Sequence, residues 1–141
     1  MILEFQGEYR FLSNFWPAKV ELDGVIYPSV EHAYQAAKTT SVDDRNFIIA
    51  SPTPGIAKQR SKEIVKRPEW EFVKLGIMWE LVAKKFIHYK LRKQLLAIRG
   101  IYLREGNTWH DNFWGVCTCA RCGSSGRNYL GRILMNIRDK K

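Results

Sequence analysis

The order of apolar and polar residues predicts a β-hairpin near the start of the chain. In KVELDGVIYP, apolar residues stand at alternate positions on each side of Asp23-Gly24, at Val20 and Leu22 before it and at Val25 and Tyr27 after it. This dipeptide favours a type I′ turn, because both of its residues accept a positive φ. We therefore expect two short antiparallel strands, the second of which ends at Pro28.

Apolar residues recur at helical spacing through most of the remaining sequence. Ser29 is a suitable N-cap for a helix over residues 30–39. In the segment 70–89, apolar residues from Phe72 to Phe86 form one stripe, which predicts a long helix central to the core. We also predict helices over residues 43–50, 55–65 and 91–98, a short strand in IYLRE, and a last helix that starts at Asn128. Because we find no internal repeat or linker, we expect residues 1–141 to form a single α+β domain that is predominantly helical.

The predicted helix after Ser29 carries an unusual set of polar side chains. Glu31, Gln35 and Lys38 are spaced i, i+4 and i+7, which places them on one stripe. Tyr34 lies beside this stripe, whereas His32 points away from it and is expected to be structural. Considered alone, the stripe fits either a solvated face or a catalytic face.

Two loops place polar residues among aromatic ones. In EGNTWHDNFWG, Asp111 is flanked by tryptophans and a phenylalanine. Burial among such rings can raise the pKa of a carboxyl group towards neutrality, which suits a proton donor or base. The alternative is that Asp111 forms an Asx-turn in a loop pinned by tryptophans. In FLSNFWP, Ser13 and Asn14 precede Phe15, and these residues either bind a sugar or base or shape a turn.

Three cysteines lie close together at Cys117, Cys119 and Cys122. An odd number at this spacing does not fit the disulfide framework of a secreted protein. A zinc site usually has four ligands, so His110, Asp111 or water would have to complete it. Free thiols that tighten the loop are the alternative.

The composition favours anionic partners and excludes a membrane protein. The formal net charge is +9, from 23 Lys and Arg against 14 Asp and Glu. Such a surface attracts phosphates, nucleotides or nucleic acid. In SSGRNYLG, backbone N–H groups at the predicted helix start could also hold a phosphate. The sequence contains neither a membrane-length apolar run nor a leader-like N-terminus, so we expect a cytoplasmic protein.

Several motifs, in the same order, resemble those of the YbiA-like family, also called NADAR. The matching stretches are FLSNFWP, YPSVEHAYQAAK, AKQRSKEIVKRPEW, IMWELVAKKF, DNFWG and GRNYLGRILMNIR. The resemblance covers nearly the whole chain and implies the fold of that family. The chain differs at Ile98-Arg99-Gly100, where many members have Thr-Gly, and its cysteine segment resembles that of one subgroup.

The family resemblance implies an N-glycosidase that hydrolyses a bond between ribose and a base. The expected substrate is ADP-ribosylated guanine, in DNA or as a nucleotide. A ribosylamino-pyrimidine phosphate from riboflavin biosynthesis is the alternative substrate, and a non-catalytic module that binds ADP-ribose or nucleic acid is the alternative of another class. The resemblance implies no required cofactor and no obligate protein partner. A zinc ion, if the cysteines bind one, is expected to be structural.

The resemblance also implies roles for individual residues by their motif positions. Glu31 is expected to shuttle a proton, Lys38 to form a Schiff base or supply charge, and Asp111 to position the ribose hydroxyls. The residues expected to bind substrate are Ser13, Asn14, Phe15, Tyr34, Gln35, Trp114, Gly115 and Asn128.

Overall fold

The computed structural model describes residues 1–140, and helices account for most of the regular structure. The chain divides into two compact units. One unit combines Met1–Ser13 with the chain from Tyr89 onward, and the other is Asn14–His88. The prediction of a mainly helical α+β fold with an N-terminal hairpin is confirmed, whereas the prediction of a single domain stays a prediction.

The unit Asn14–His88 begins with the predicted hairpin. Strands β1 (Pro17–Leu22) and β2 (Val25–Ser29) pair in antiparallel orientation. Asp23 and Gly24 have φ values of 51° and 84°, so both turn residues adopt the left-handed conformation that a type I′ turn requires. Strand β2 runs through Pro28 to Ser29, one residue beyond the prediction. A two-stranded sheet tolerates this proline because each strand has an edge where no N–H donor is needed.

Four α-helices follow the hairpin in the same unit: α1 (Val30–Ala36), α2 (Val42–Ile49), α3 (Pro54–Arg60) and α4 (Trp70–Lys85), with a 3-10 helix at Ser61–Glu63 after α3. The N-caps of the first three are Ser29, Ser41 and Thr53, whose side-chain oxygens accept a backbone N–H from the first turn. The buried apolar side chains of this unit include Val20, Leu22, Tyr27, Val30, Ile48, Trp70, Met78, Leu81, Val82 and Phe86.

The long helix α4 departs from its prediction at both ends. It stops at Lys85 instead of continuing to residue 89. Phe72, which the stripe places in the core, is 91% exposed, whereas Phe86 at the other end of the same stripe is only 3% exposed. The buried side chains of the helix are Trp70, Met78, Leu81, Val82 and Lys85, so its buried face coincides only in part with the predicted stripe.

The other unit contains the remaining helices, α5 (Tyr89–Ala97) and α6 (Tyr129–Asp139), together with a 3-10 helix at Gly7–Leu12. Strands β3 (Gly106–Asn107) and β4 (Val116–Cys117) pair in parallel in the region of the loop EGNTWHDNFWG, where we predict no strand. Strands of two residues have no periodicity that a sequence could reveal. The predicted strand in IYLRE is instead a single bridge between Ile2 and Leu103. Within residues 1–140, no helix is both long enough and apolar enough to cross a bilayer.

Candidate active site

Helix α1 holds its polar side chains in a largely buried environment. The Ser29 hydroxyl caps the helix by accepting the N–H of His32 at 3.1 Å. The backbone N–H of Glu31 donates to the Asn14 carbonyl at 3.1 Å, which fixes the segment before the hairpin against the first turn. Every residue of α1 is buried. The helix therefore does not present a solvated face, which was one of the two readings of its polar stripe.

The carboxylate of Glu31 is held by its neighbour one turn later. The side-chain nitrogen of Gln35 donates to Glu31 Oε2 at 2.6 Å. Gln35 is only 3% exposed, and its Oε1 is buried without a hydrogen-bond partner among the described residues. Buried acceptors are normally satisfied, so this oxygen is suited to receive a donor from a bound molecule.

Lys38 lies in the turn after α1 and is half-buried. Burial is the main reason that the pKa of Lys38 falls from 10.5 to about 8. The positive charge of Lys66 lowers this pKa further, whereas the negative charge of Glu31 raises it. Lys38 Nζ is 5.6 Å from the centre of the Tyr34 ring. A lysine with this pKa has a substantial neutral fraction at physiological pH and can serve as a nucleophile.

Aromatic and amide groups accompany these residues in the same unit. The Tyr34 ring packs against Trp70 with centroids 5.2 Å apart and an interplanar angle of 57°. Asn14 is buried, and its side-chain nitrogen contacts the Met78 thioether sulfur, a weak acceptor, at 3.5 Å. Phe15 is 38% exposed. The Asn14 side-chain amide has only a weak acceptor as its partner and can still donate to a ligand.

His32 has a structural environment, in line with its expected role. Its Nδ1 is 2.7 Å from the Ser29 hydroxyl, and its Nε2 is 3.0 Å from the Ser51 carbonyl. A carbonyl oxygen can only accept, so Nε2 donates and Nδ1 accepts. Both ring nitrogens are thus used within the protein.

In the other unit, Asp111 shapes the loop that carries it. Its Oδ1 accepts the backbone N–H of Phe113 at 3.2 Å and that of Trp114 at 2.9 Å. These are the bonds of an Asx-turn, which was the alternative reading of this residue. Asn107 holds Asp111 from the other side, because its Oδ1 accepts the Asp111 N–H at 3.1 Å and its Nδ2 donates to the Asp111 carbonyl at 3.0 Å.

Gly115 follows this turn at a position that excludes any side chain. A Cβ atom there would collide with the side-chain and backbone oxygens of Glu105 and would lie 2.8 Å from Asn107 Nδ2. The carbonyl of Gly115 accepts the N–H of Asn128 at 3.2 Å. Trp114, immediately before it, is half-buried and packs edge-on against Phe113, with centroids 4.7 Å apart.

Asn128 occupies the N-cap position of α6 without capping the helix through its side chain. Its φ is 54°, in the left-handed region. Its Oδ1 accepts the N–H of Glu105 at 2.9 Å, and its Nδ2 donates to the Leu103 carbonyl at 3.0 Å. These bonds tie the start of α6 to the segment before β3. Ser13, another expected ligand residue, ends the first 3-10 helix and donates its N–H to the Arg10 carbonyl at 2.9 Å.

The three cysteines are free thiols that converge on a histidine. The ligand atoms of His110, Cys117, Cys119 and Cys122 all lie within 4.8 Å of one another, so this group could hold a metal ion. Burial raises the pKa of the Cys117 thiol, but hydrogen bonds from Cys119 and Cys122 outweigh it and bring the pKa to about 6. The sequence left His110 as one of three possible fourth ligands, and only the folded chain brings it to the sulfurs.

The predicted site residues therefore form two groups, one in each unit. One group lies on helix α1 or beside it and consists of Asn14, Glu31, Tyr34, Gln35 and Lys38. The other group belongs to the loop before α6 and consists of Asp111, Trp114, Gly115 and Asn128. Sequence reasoning missed Asn107 and Lys66. Asn107 acts on the nearby Asp111 through a loop conformation without periodicity, and Lys66 acts by its charge on Lys38, which lies in a different segment.

Comparison with known proteins identifies the family. A family model described as the NADAR domain matches residues 4–140. The chain belongs to the NADAR family. This confirms the resemblance found in the sequence motifs. The NMR structure of the NADAR relative YbiA from Escherichia coli matches 99% of this chain and 84% of that chain, with a TM-score of 0.82 and 31% identity.

Curated NADAR relatives have names from two areas of chemistry. An N-glycosidase of Nostoc punctiforme is 33% identical over 139 residues, which cover 94% of this chain and 85% of that protein. The N-glycosidase YbiA of Escherichia coli is 35% identical over 138 residues, covering 94% of this chain and 82% of that protein. A riboflavin biosynthesis protein of Vibrio vulnificus is 34% identical over 135 residues, covering 94% of this chain but only 35% of that protein.

Proposed function

We propose that this protein is an N-glycosidase that hydrolyses the bond between a ribose and a base, and that the residues around helix α1 carry the reaction. The observation that supports this most strongly is the half-buried amine of Lys38, whose pKa is about 8, within the electrostatic influence of the buried Glu31 carboxylate. A pure binding module needs neither an activated amine nor a buried acid held by a neighbouring amide. The names of the N-glycosidase relatives support the same reaction.

The chemistry of the bond matches these side chains. Cleavage of a glycosidic C1–N bond requires stabilisation of positive charge at C1 and protonation of the departing nitrogen. Glu31 in its acid form would donate that proton. Gln35 would hold the carboxyl group in place through its 2.6 Å hydrogen bond, and its unpartnered Oε1 would accept a hydroxyl or N–H of the substrate.

We propose that Lys38 forms the intermediate. Glu31 protonates the ring oxygen and the C1–O bond breaks, so that C1 becomes an iminium carbon bound to the base nitrogen. The neutral Nζ adds to C1 and gives a proton to the Glu31 carboxylate, which passes it to the base nitrogen as the C1–N bond to the base breaks. A protonated C1=N imine on Lys38 remains, with Glu31 as the carboxylate. Water then adds to C1 and releases the amine, and the resulting aldehyde closes again to the ribose hemiacetal.

The remaining candidates have supporting roles in this proposal. We propose Asp111 as a catalytic residue because of its motif position. Its Asx-turn hydrogen bonds would fix the conformation of the loop in which it acts. The residues proposed to bind substrate are Ser13, Asn14, Phe15, Tyr34, Gln35, Trp114, Gly115 and Asn128. For Gly115 and Asn128, close packing and backbone hydrogen bonds support a positioning role. The reaction as proposed uses no cofactor or partner protein, a zinc ion bound by the cysteines would be structural, and we propose a cytoplasmic location.

Guanine-linked ADP-ribose in DNA is the substrate we propose first. Both the diphosphate and the DNA are polyanions, and the chain has a net charge of +9. The name of the Vibrio vulnificus relative favours a ribosylamino-pyrimidine phosphate as the second candidate. A non-catalytic module that binds ADP-ribose or nucleic acid is the third.

The test is release of ADP-ribose from a guanine-ADP-ribosylated oligonucleotide by the full chain. Wild-type protein should release it, whereas Lys38→Ala and Glu31→Gln should each lose about a hundredfold or more of the rate. Lys93→Ala and Glu63→Gln, two exposed sites with the same change of charge, serve as matched controls and should keep full activity.

The outcomes separate the three candidates. Turnover of the ribosylamino-pyrimidine phosphate without release from DNA would favour the second substrate. Binding of either ligand without turnover by well-folded wild-type protein would contradict the glycosidase proposal and favour the binding module. Borohydride should trap a covalent adduct during turnover, and an active enzyme that yields no adduct would rule out Lys38 as the nucleophile.

A further inference from the structure

We propose that His110, Cys117, Cys119 and Cys122 bind one structural zinc ion, which fixes the loop that these residues share. Their ligand atoms lie within 4.8 Å of one another. A set of three thiolates and one imidazole is a common tetrahedral ligand set of structural zinc sites. The histidine comes from before β4 and two of the cysteines from after it, so a single ion would join separate parts of the loop.

The dimensions of the cluster fit a zinc ion. With Zn–S bonds of about 2.3 Å and Zn–N bonds of about 2.0 Å, the ligand atoms of a tetrahedral site lie about 3.5–3.8 Å apart. His110 Nδ1 is 3.5 Å from the Cys119 sulfur and 3.8 Å from the Cys117 sulfur. Cys122 is 3.3 Å from the same nitrogen, and the Cys117 and Cys119 sulfurs are 3.3 Å apart. The remaining pairs lie no more than 4.8 Å apart, so only small side-chain movements would bring all four atoms to the distances that the ion requires.

The backbone around the last two cysteines already supports a charged sulfur. The N–H of Cys122 donates to the Cys119 sulfur at 3.3 Å. Gly123, with a φ of 63°, donates its N–H to the Cys119 carbonyl at 2.9 Å and closes the turn. The Asn112 side chain also reaches the Cys122 sulfur, at 3.8 Å. Donors of this kind stabilise metal-bound thiolates and orient them.

The backbone of His110 gives a second, independent indication. Its φ is 68°, in the left-handed region that residues other than glycine rarely adopt. Such conformations persist where the surroundings impose them and are frequent at ligand sites. At this position the conformation accompanies an imidazole whose Nδ1 faces three sulfurs, and a metal–nitrogen bond would compensate for the strain.

Disulfide formation explains the cluster less well. A disulfide has an S–S distance of about 2.05 Å and joins two cysteines, so one thiol and the histidine would be left over. A zinc ion uses all four groups.

The ion would restrain both ends of the segment that contains Asp111, Trp114 and Gly115. His110 directly precedes that segment, and Cys117 closely follows it. Zinc would therefore order the loop whether or not those residues are catalytic, and only the effect on turnover rests on the proposed function.

The experiment is metal analysis of the full chain, purified under reducing conditions with zinc available. We expect one zinc per chain. After exchange into Co²⁺, the protein should show thiolate-to-cobalt charge-transfer bands and strong visible bands typical of tetrahedral coordination. His110→Asn should lower zinc affinity by about tenfold or more and shift the cobalt spectrum, whereas His88→Asn, the matched control at an exposed histidine, should change neither.

A chelator titration of the wild-type protein provides a test that needs no variant to fold. As zinc is removed, three thiols should become reactive together, and amide exchange over residues 106–122 should accelerate. Folded, reduced protein that takes up neither zinc nor cobalt would overturn the site. Unchanged affinity and cobalt spectrum in His110→Asn would overturn the assignment of His110 as a ligand.

Discussion

Gln35 donates a 2.6 Å hydrogen bond to the carboxylate of Glu31, and this bond leaves the buried Oε1 of Gln35 without a partner among the described residues. While Glu31 is ionised, the carboxylate sets the orientation of the amide, because the opposite orientation would bring two oxygens together. In that state Oε1 is the lone acceptor of the site. It distinguishes Gln35 from a residue that only fills space.

We predict that Gln35→Leu lowers kcat/KM by about tenfold or more while the protein stays folded. A hydrogen bond to a charged group contributes about 1.5–3 kcal/mol, and the variant also loses the acceptor for substrate. The thermal midpoint should fall, because the variant loses this hydrogen bond, but the protein should remain folded. Steady-state kinetics and a melting curve check this. Gln59→Leu, an exposed helical glutamine, is the control; equal kinetics in both variants would contradict the role of Gln35.

The rate of imine trapping should increase with pH through about pH 8. Burial lowers the pKa of Lys38 from 10.5 to about 8, so the neutral, nucleophilic amine predominates only above that pH. Borohydride trapping in single turnovers, measured from pH 6 to 9.5, checks this. If Lys38 acts only as a positive charge, turnover should instead fall as pH rises through 8.

Lys66→Ala should move this transition to higher pH. The positive charge of Lys66 is the second influence that lowers the pKa of Lys38, after burial. Its removal stabilises the protonated form of Lys38 and therefore raises the pKa of Lys38. Lys93→Ala, in the other unit, should leave the transition where it is, and equal shifts in both variants would point to a general effect of net charge.

Gly115→Ala is expected to destabilise the protein by about 2–4 kcal/mol. The new methyl group would collide with Glu105, and the backbone on both sides of Gly115 is held by hydrogen bonds. Gly76→Ala is the matched control, because nothing lies within 4 Å of a Cβ there and the residue is inside α4. That change should stabilise the protein by about 0.5–1 kcal/mol. Urea denaturation of both variants tests the contrast, and similar effects would show that the loop can relax.

Stability should rise with pH because of Lys85, which is 1% exposed at the end of α4. Burial lowers its pKa to about 7 from 10.5. Between these pH values the unfolded chain binds one proton more than the folded chain, so the free energy of unfolding increases with pH. In Lys85→Met this increase should be smaller, and at pH 6 the variant should match or exceed wild-type stability by about 1–3 kcal/mol.

The neighbouring Lys84 gives a control of opposite sign. Hydrogen bonding to Glu21 is the main reason that the pKa of Lys84 is raised, and the amine is only partly buried. Lys84→Met should therefore cost up to about 1 kcal/mol at pH 6. Denaturation at pH 6 and pH 9 for the two variants measures both effects; a Lys85→Met protein less stable than Lys84→Met at pH 6 would contradict the prediction.

The features that can be predicted from the sequence are those set by residues close to one another along the chain. Asp23-Gly24 specifies its turn, and Ser29 caps α1, because each acts within a few residues of itself. The stripe of Glu31, Gln35 and Lys38 also follows from spacing. The burial of this stripe cannot be predicted from spacing, because it depends on the elements that pack against α1.

The loop before α6 shows where sequence reasoning ends. The aromatic residues around Asp111 suggest a desolvated carboxyl group, but Asp111 is held in an Asx-turn and supported by Asn107. His110 has a positive φ, and its imidazole lies beside three thiols that come from later in the chain. None of these relationships has a periodic pattern, and each depends on backbone conformations that several residues determine together.

The discontinuous unit imposes an order on events during synthesis. Ile2 donates to the carbonyl of Tyr102, and its own carbonyl accepts the N–H of Arg104 at 2.8 Å. The partners of Ile2 are thus translated about 100 residues later, or about 5–20 s at usual elongation rates. The contiguous unit Asn14–His88 can fold during that interval. The first segment of the chain must stay unfolded and unaggregated until its partner emerges from the ribosome.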